Sequence, residues 1–391
     1  MVKVNLNYAK LQENYLFVEV VRRTVEYQKA HPEAKVIKLG VGDVTRPLAV
    51  VAADGMIHAN EELKHEETFR GYGPELGYKF AKAAVQRYYA KRGVSVDFEE
   101  LTIGDGICSD LANITDLFAS GNVVLIPDPV YPLYKATSIM DGQDIRYLAC
   151  NDENGFLPTP PDFAAGLIYL CSPNNPTGAT FSRDQLKAWV DYANDCGAII
   201  LYDAAYERFI ADDKPHSIFE IEGARTCAIE FCSLSKTAGF TCVRSGYTFV
   251  PMELEREGLS LNRMWQQRQS TKYNGAPYAQ QRGLEAALSD EGLRQADENI
   301  TYYKQNAHTI TEVLDRKGIT YSGGWNSPYI WMRCPNGMRS WDFFDYLLNN
   351  AQVVGTPGVG FGDCGEGYFR LSLFNTHAAT SEAMQRLDKL L

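Results

Sequence analysis

The sequence predicts an α/β protein built on a mostly parallel β-sheet. Four short apolar runs rich in β-branched residues carry that prediction: "NVVLIPDP" (122–129), "GLIYLCSP" (166–173), "GAIILYDAAY" (197–206) and "CAIEFCSLSK" (227–236). Each has the length and composition of a strand buried on both faces, and each ends in polar residues. Amphipathic helical stretches lie between them, and strand–helix–strand repetition of this kind builds a parallel sheet covered on both sides. In such sheets ligands bind beyond the carboxyl ends of the strands, which is where the polar residues fall.

The helix between the second and third runs is legible in detail. In "SRDQLKAWVDYANDCG" (182–197), Ser182 is an N-cap and Gln185 completes a capping box. Leu186, Trp189, Val190 and Ala193 form one apolar stripe, and Gly197 is the C′ stop. After about residue 285 the texture changes. A long charged helix (289–318) leads to "SPYIWMRC", "VVGTPG" and "GYFRLSLF", short strands of a smaller α+β domain. The expected division is a large domain over 46–285 and a small one formed by 1–45 with 286–391.

Bulk properties exclude several classes. A net charge of −11 without an acidic tail argues against nucleic acid or an anionic membrane as partner. No window approaches 18 apolar residues and the start of the chain has no signal-peptide core, so a cytoplasmic enzyme is expected. Nine scattered cysteines without a CxxC pair fit free thiols, and six isolated histidines offer no metal-ligand spacing. "GVGFGDCGEG" (358–367) has the wrong spacing for a dinucleotide fingerprint and is followed by a strand, so it is expected to be a glycine-rich turn.

The strand ends converge on one chemistry. Lys236 follows a buried strand; a lysine in a dry pocket near another cation has a lowered pKa and can serve as a nucleophilic amine. Ser233, Ser235 and Arg244 supply donors suited to a phosphate. An imine-forming lysine beside a phosphate site suggests pyridoxal 5′-phosphate. That cofactor needs a carboxylate at its ring nitrogen, and Asp203 ends "AIILYD". Asn175 in "SPNNPTG" and Tyr206 in "DAAY" fit the ring hydroxyl, and Tyr131 in "DPVYP" can cover the ring face. "LTIGDGICSDLANITDLF" (101–118) runs from a strand through glycines into a helix whose N-terminus, near Ile107 and Cys108, offers backbone N–H groups to the phosphate.

These motifs resemble the signatures of fold-type I pyridoxal-phosphate aminotransferases. "IKLGVGDVTRPL", "ETFRGYGPELGY", "DPVYPLY", "SLSKTAGFT", "KYNGAPY", "VVGTPGVGFG" and "GEGYFRLSLF" are similar, nearly end to end, to the LL-diaminopimelate aminotransferase family. The resemblance implies a seven-stranded, mostly parallel sheet in the large domain, and a homodimer with sites shared across the interface. It implies Lys236 as the Schiff-base lysine and proton shuttle, with Asp203 and Tyr131 beside it in the catalytic set. Asp203, Tyr206, Asn175, Ser233, Ser235 and Arg244 are then cofactor ligands, joined by Tyr72 reaching the neighbouring subunit's phosphate. Arg370 would clamp the substrate α-carboxylate beside Asn175. Tyr15, Gly42 and Tyr131 would line the distal end, with Glu75 and Asn274 arriving from the partner chain.

Two positions depart from the family pattern. The family loop reads Asp-Gly-Ala-Lys where this chain has Asp105-Gly106-Ile107-Cys108, and a family glycine is replaced by Cys242. The family lysine helps recognise the distal carboxylate of diaminopimelate; a charged hydrogen bond of that kind is worth roughly 1.5–3 kcal/mol. The expected activity is therefore transfer of the α-amino group of a basic or diamino amino acid to a 2-oxo acid. The alternative is other pyridoxal-phosphate chemistry (cyclisation, elimination or oxidation) on arginine, hydroxyarginine, ornithine or lysine.

Overall fold

The computed structural model describes residues 1–11 and 16–391. Seven strands form the larger sheet: β1 (Leu101–Gly104), β2 (Val123–Asp128), β3 (Asp144–Ala149), β4 (Leu167–Cys171), β5 (Ile199–Asp203), β6 (Ala228–Ser233) and β7 (Gly246–Phe249). Their order across the sheet is β1-β7-β6-β5-β4-β2-β3. Only β7 runs against the others: it pairs antiparallel with both β1 and β6, and the remaining pairs are parallel. The carboxyl ends of β1, β2, β4, β5 and β6 therefore share one edge. The four apolar runs form β2, β4, β5 and β6 with ends trimmed by a few residues, and every residue of β4, β5 and β6 is buried. Register brings Cys171 opposite Asp203, and Asp203 opposite Phe231, at that edge.

The helix Arg183–Cys196 has the expected caps. The Ser182 hydroxyl accepts from the Gln185 N–H at 3.2 Å, and the Gln185 side chain accepts from the Ser182 N–H at 2.9 Å. Gly197 closes it with a φ of 74°. Leu186, Trp189, Val190 and Ala193 are buried against the sheet; a large apolar side chain buried in this way contributes roughly 1.5–3 kcal/mol.

A second sheet is antiparallel: β8 (Tyr321–Gly323), β9 (Tyr329–Arg333), β10 (Thr356–Pro357) and β11 (Tyr368–Ser372), in the order β8-β9-β11-β10. "VVGTPG" is split, since Val353 and Val354 pair instead with Ile37 and Lys38. The Ser372 N–H also donates to the Leu39 carbonyl at 2.6 Å, which ties residues 37–39 to this sheet. The first turn of the chain goes elsewhere, with Asn5 donating to the Met140 carbonyl at 2.9 Å. The long helix Asp290–Arg316 buries a stripe through Leu293, Ala296, Ile300, Ala307 and Ile310. One hydrophobic cluster joins β2, β4 and β5 to β9 and β11. The glycine run 358–367 forms two short 3₁₀ turns, and the N–H groups of Asp363 and Cys364 donate to the Asp128 carboxylate at 3.1 and 3.2 Å.

The loop after β5 is fixed by a buried ion cluster. Glu207 lies 3.0 Å from Arg92 and 2.9 Å from His216, and it accepts from the Tyr88 hydroxyl. Burial pushes its carboxyl up, but Arg92 and His216 outweigh that and hold it at about 2. The stability it supplies is present above the ordinary carboxylate value of 4.5 and is lost as pH falls toward 2. Glu207→Ala leaves Arg92 buried without its counter-charge and should cost about 3–5 kcal/mol in urea unfolding followed by circular dichroism at neutral pH.

Candidate active site

The shared carboxyl edge of the large sheet faces the second sheet across a cavity of about 470 Å³. Twelve sequence-predicted residues line it: Lys236, Asp203, Tyr131, Tyr206, Asn175, Ser233, Ser235, Arg244, Ile107, Cys108, Gly42 and Arg370. They come from the ends of β1, β2, β4, β5 and β6, from the loop before residue 45, and from β11. Tyr72, Glu75 and Asn274 do not line it. All three are exposed; Tyr72 and Asn274 line a separate surface hollow, and Glu75 packs against Gly275 at its edge. Tyr15 lies outside the described residues.

Asp203 is the last residue of β5, where the central strands end together. Its carboxylate accepts from the Tyr134 hydroxyl at 2.5 Å and from the Ala205 N–H at 2.9 Å. Burial raises its pKa from the ordinary 3.8 to about 6, and those two donors work against the rise. Burial also pushes the Tyr134 phenol well up, so that hydroxyl stays a donor. Tyr134 is itself held by stacking on Tyr169, centroids 4.6 Å apart.

Lys236 sits in a single helical turn (Leu234–Thr237) after β6, capped by Ser233, whose hydroxyl accepts from the Ser235 N–H at 3.1 Å. The Lys236 amine donates to the Gly42 carbonyl. Burial lowers its pKa to about 8; Asp43 opposes the fall, while Arg370 and Arg244 add to it. Gly42 has a steric reason to lack a side chain, since a Cβ there would stand 2.5 Å from the Tyr329 hydroxyl.

An anion corner lies on the other side of Lys236. Arg244 reaches the Ser235 hydroxyl at 3.4 Å and the Thr241 carbonyl at 3.2 Å. Its guanidinium passes so close to Gly106 that a Cβ there would lie 2.6 Å away, and Gly106 has a φ of 113°. A glycine is needed on both counts. Here Arg244 and the hydroxyls of Ser233 and Ser235 adjoin the first turn of the helix Ile107–Asn113. Cys108 stands exposed at the mouth; burial of the thiol pushes its pKa up, and a hydrogen bond with Tyr131 moderates that. Cys242 is also exposed on the cavity wall, and the left-handed backbone nearby belongs to Arg244 (φ 66°).

Arg370 is the third cation. It is 1% exposed, on the central strand of the small sheet, paired with Trp331 on one side and Thr356 on the other. It donates to Asn175 Oδ1 at 2.6 Å and to the Gly40 carbonyl at 2.7 Å, and its guanidinium lies 4.2 Å from the Tyr329 ring centroid. Tyr329 in turn shares a 3.0 Å hydrogen bond with Tyr206, whose hydroxyl lies 3.5 Å from Asn175 Nδ2.

The donor set fits a phosphorylated pyridine aldehyde. It offers a cationic corner opened by Gly106, a lysine amine of lowered pKa, and a buried carboxylate with no cation against it among the described residues. Sequence reasoning missed Asp43, Tyr134, Thr241 and Tyr329. Tyr134 stood inside the quoted "DPVYPLY", and Tyr329 read as strand core; no spacing singled out either.

Fold and site together define a fold-type I, pyridoxal-phosphate-dependent aminotransferase. Residues 34–387 match the family model for aminotransferases of class I and II, and the chain belongs to that family. It is 48% identical over 404 residues to an LL-diaminopimelate aminotransferase of Lachnospira eligens, and 46% identical to one of Agathobacter rectalis, each over the whole of both chains. It superposes on the L,L-diaminopimelate aminotransferase of Chlamydomonas reinhardtii with a TM-score of 0.94 at 39% identity, over 99% of this chain and 98% of that one. Substrate-bound BacF of Bacillus subtilis gives a TM-score of 0.88 at 26% identity, over 100% and 98%.

The buried carboxylate predicts a stability cost. Folding holds a proton on Asp203 between about pH 4 and 6 that the unfolded chain has released, so this group's contribution declines as pH rises through that window. Asp203→Asn should make the cofactor-free protein more stable by about 3 kcal/mol above pH 6, with the gain vanishing toward pH 4. Urea unfolding of both proteins at several pH values checks this.

Proposed function

We propose that this enzyme binds pyridoxal 5′-phosphate in the cavity and transfers the α-amino group of a basic or diamino amino acid to a 2-oxo acid. LL-diaminopimelate is the first substrate to test, because the relatives above carry that name, and 2-oxoglutarate is the expected acceptor. One observation carries the reading: a lysine amine of lowered pKa lies between an anion corner and a buried arginine, with an acid at the end of the neighbouring strand. The region 46–285 is taken as the cofactor-binding domain, and 1–45 with 286–391 as the smaller one.

Arg244, Ser233, Ser235 and the N–H groups near Ile107 and Cys108 would hold the phosphate, while Asn175 and Tyr206 would donate to the ring hydroxyl. Tyr131 would cover the ring. Bound, the cofactor supplies a carbonyl for the substrate amine and a ring that accepts the electron pair left when the α-proton departs. Asp203 is ionised above about pH 6 and buried, so it favours a proton on a nitrogen facing it. Arg370 offers a planar two-pronged cation to the α-carboxylate, a geometry a lysine would not reproduce. Lys236 takes the proton from the substrate Cα and returns it; an amine with a pKa near 8 is present in both protonation states at working pH, as a proton shuttle requires.

Tyr72, Glu75 and Asn274 form an exposed group away from the cavity. That supports their serving the site of a second subunit, in a homodimer. Among the described residues no helix is long and apolar enough to cross a membrane.

Lys236→Ala should abolish turnover with every donor while cofactor still binds. Borohydride treatment of the wild-type protein with pyridoxal phosphate should add the cofactor mass to the peptide containing Lys236; retained wild-type rates in the variant would remove the assignment. Product analysis with LL-diaminopimelate, lysine, ornithine, arginine and hydroxyarginine should give a 2-oxo acid and pyridoxamine phosphate. A cyclic product or peroxide would point to the alternative chemistry. Shared sites predict that inactive Lys236→Ala and Tyr72→Ala chains, co-expressed, regain partial activity in the mixed dimer, measured after purification on two different tags.

A further inference from the structure

Among the described residues, five lysine, arginine and aspartate side chains line the cavity: Lys236, Arg244, Arg370, Asp203 and Asp43. Four of them are hydrogen-bonded within the chain. Lys236 donates to Gly42, Arg244 to Thr241, and Arg370 to Gly40 and Asn175, while Asp203 accepts from Tyr134. Asp43 makes no hydrogen bond and no ion pair with any described residue; its charge opposes the fall of the Lys236 pKa. The four partnered groups are also the four with roles in the proposed reaction. Asp43 is left exposed on the cavity lining, with neither a hydrogen-bonded partner among the described residues nor a task.

Its position suits a particular ligand group. Asp43 directly follows Gly42, whose carbonyl accepts the Lys236 amine, so it stands one residue from the point where a substrate Cα must be presented. With the substrate α-carboxylate on Arg370, the side chain extends from that point. The other groups at the mouth, the thiols of Cys108 and Cys242, are exposed and offer no positive charge. The three cations of the wall are each committed, so the described lining residues leave none for a second carboxylate.

We propose that Asp43 receives the side-chain ammonium of the amino donor, so that the enzyme selects amino acids with a cation at the far end, monocarboxylic diamino acids such as lysine and ornithine included. The assignment rests on the transamination of a basic amino acid proposed above. A substrate ammonium gains a carboxylate partner without breaking an existing hydrogen bond, whereas a neutral side chain of equal length gains nothing there.

The test uses holoenzyme, with lysine, ornithine and norleucine as donors, the last matching lysine in length without its charge. Steady-state kcat/KM and the single-turnover conversion of the cofactor to its amine form are measured for wild type, Asp43→Asn and Asp43→Glu. The expected result is a lysine-over-norleucine preference in wild type that falls roughly tenfold or more in Asp43→Asn and is partly kept in Asp43→Glu. Equal losses for lysine and norleucine would overturn the proposal, since they would mean that Asp43 acts only on the charge of Lys236; an unchanged ratio would overturn it too. A wild-type enzyme inert toward all three donors and toward LL-diaminopimelate would count against transamination. Calorimetric binding of lysine and norleucine to wild type and Asp43→Asn would then still decide the role of Asp43.

Discussion

Arg370 belongs to the small sheet, yet its hydrogen bonds reach out of it, to Asn175 beyond β4 of the large sheet and to Gly40 in the N-terminal loop. A guanidinium taken out of water is expensive unless donors and charge are both satisfied. Here two carbonyl-type oxygens and the Tyr329 ring contribute to meeting that need. The consequence is a buried positive charge held by groups from outside its own sheet. The two sheets meet around that charge, and it lines the cavity between them. Lys236 experiences the same field, which is one reason that its amine loses its proton early.

The parallel sheet supplies the second constraint. Because β2, β4, β5 and β6 run in one direction, the residues that follow them collect on one edge, and Cys171, Asp203 and Phe231 stand side by side there. The reversed β7 does not disturb this: it returns the chain from the Lys236 turn alongside β1, so that Arg244 and Gly106 arrive together at the anion corner. Two glycines make the meeting possible. One leaves room for the guanidinium and the other for the Tyr329 hydroxyl.

Most of this was legible in the sequence because it rests on period and punctuation. Buried strands show as apolar runs, the capped helix at 183–196 shows its Ser182 and Gly197, and the polar residues at strand ends name the chemistry. What could not be read was contact across the chain. Tyr134 holds Asp203 from 69 residues away, and the Tyr206–Tyr329 bond spans 123. Nothing local marks either tyrosine as more than core. Asp43 escaped for the opposite reason, lying in a loop with no repeating pattern.

Among the described residues no cation stands against the Asp203 carboxylate, and this has a further consequence for the life of the protein in a cell. A chain folded in vitamin-poor conditions carries an unrewarded buried charge, and any ligand that binds only the folded form shifts the balance back by mass action. The abundance of the enzyme should therefore track the vitamin supply even at constant synthesis, because proteases sample the open form more often when the pocket has nothing to hold.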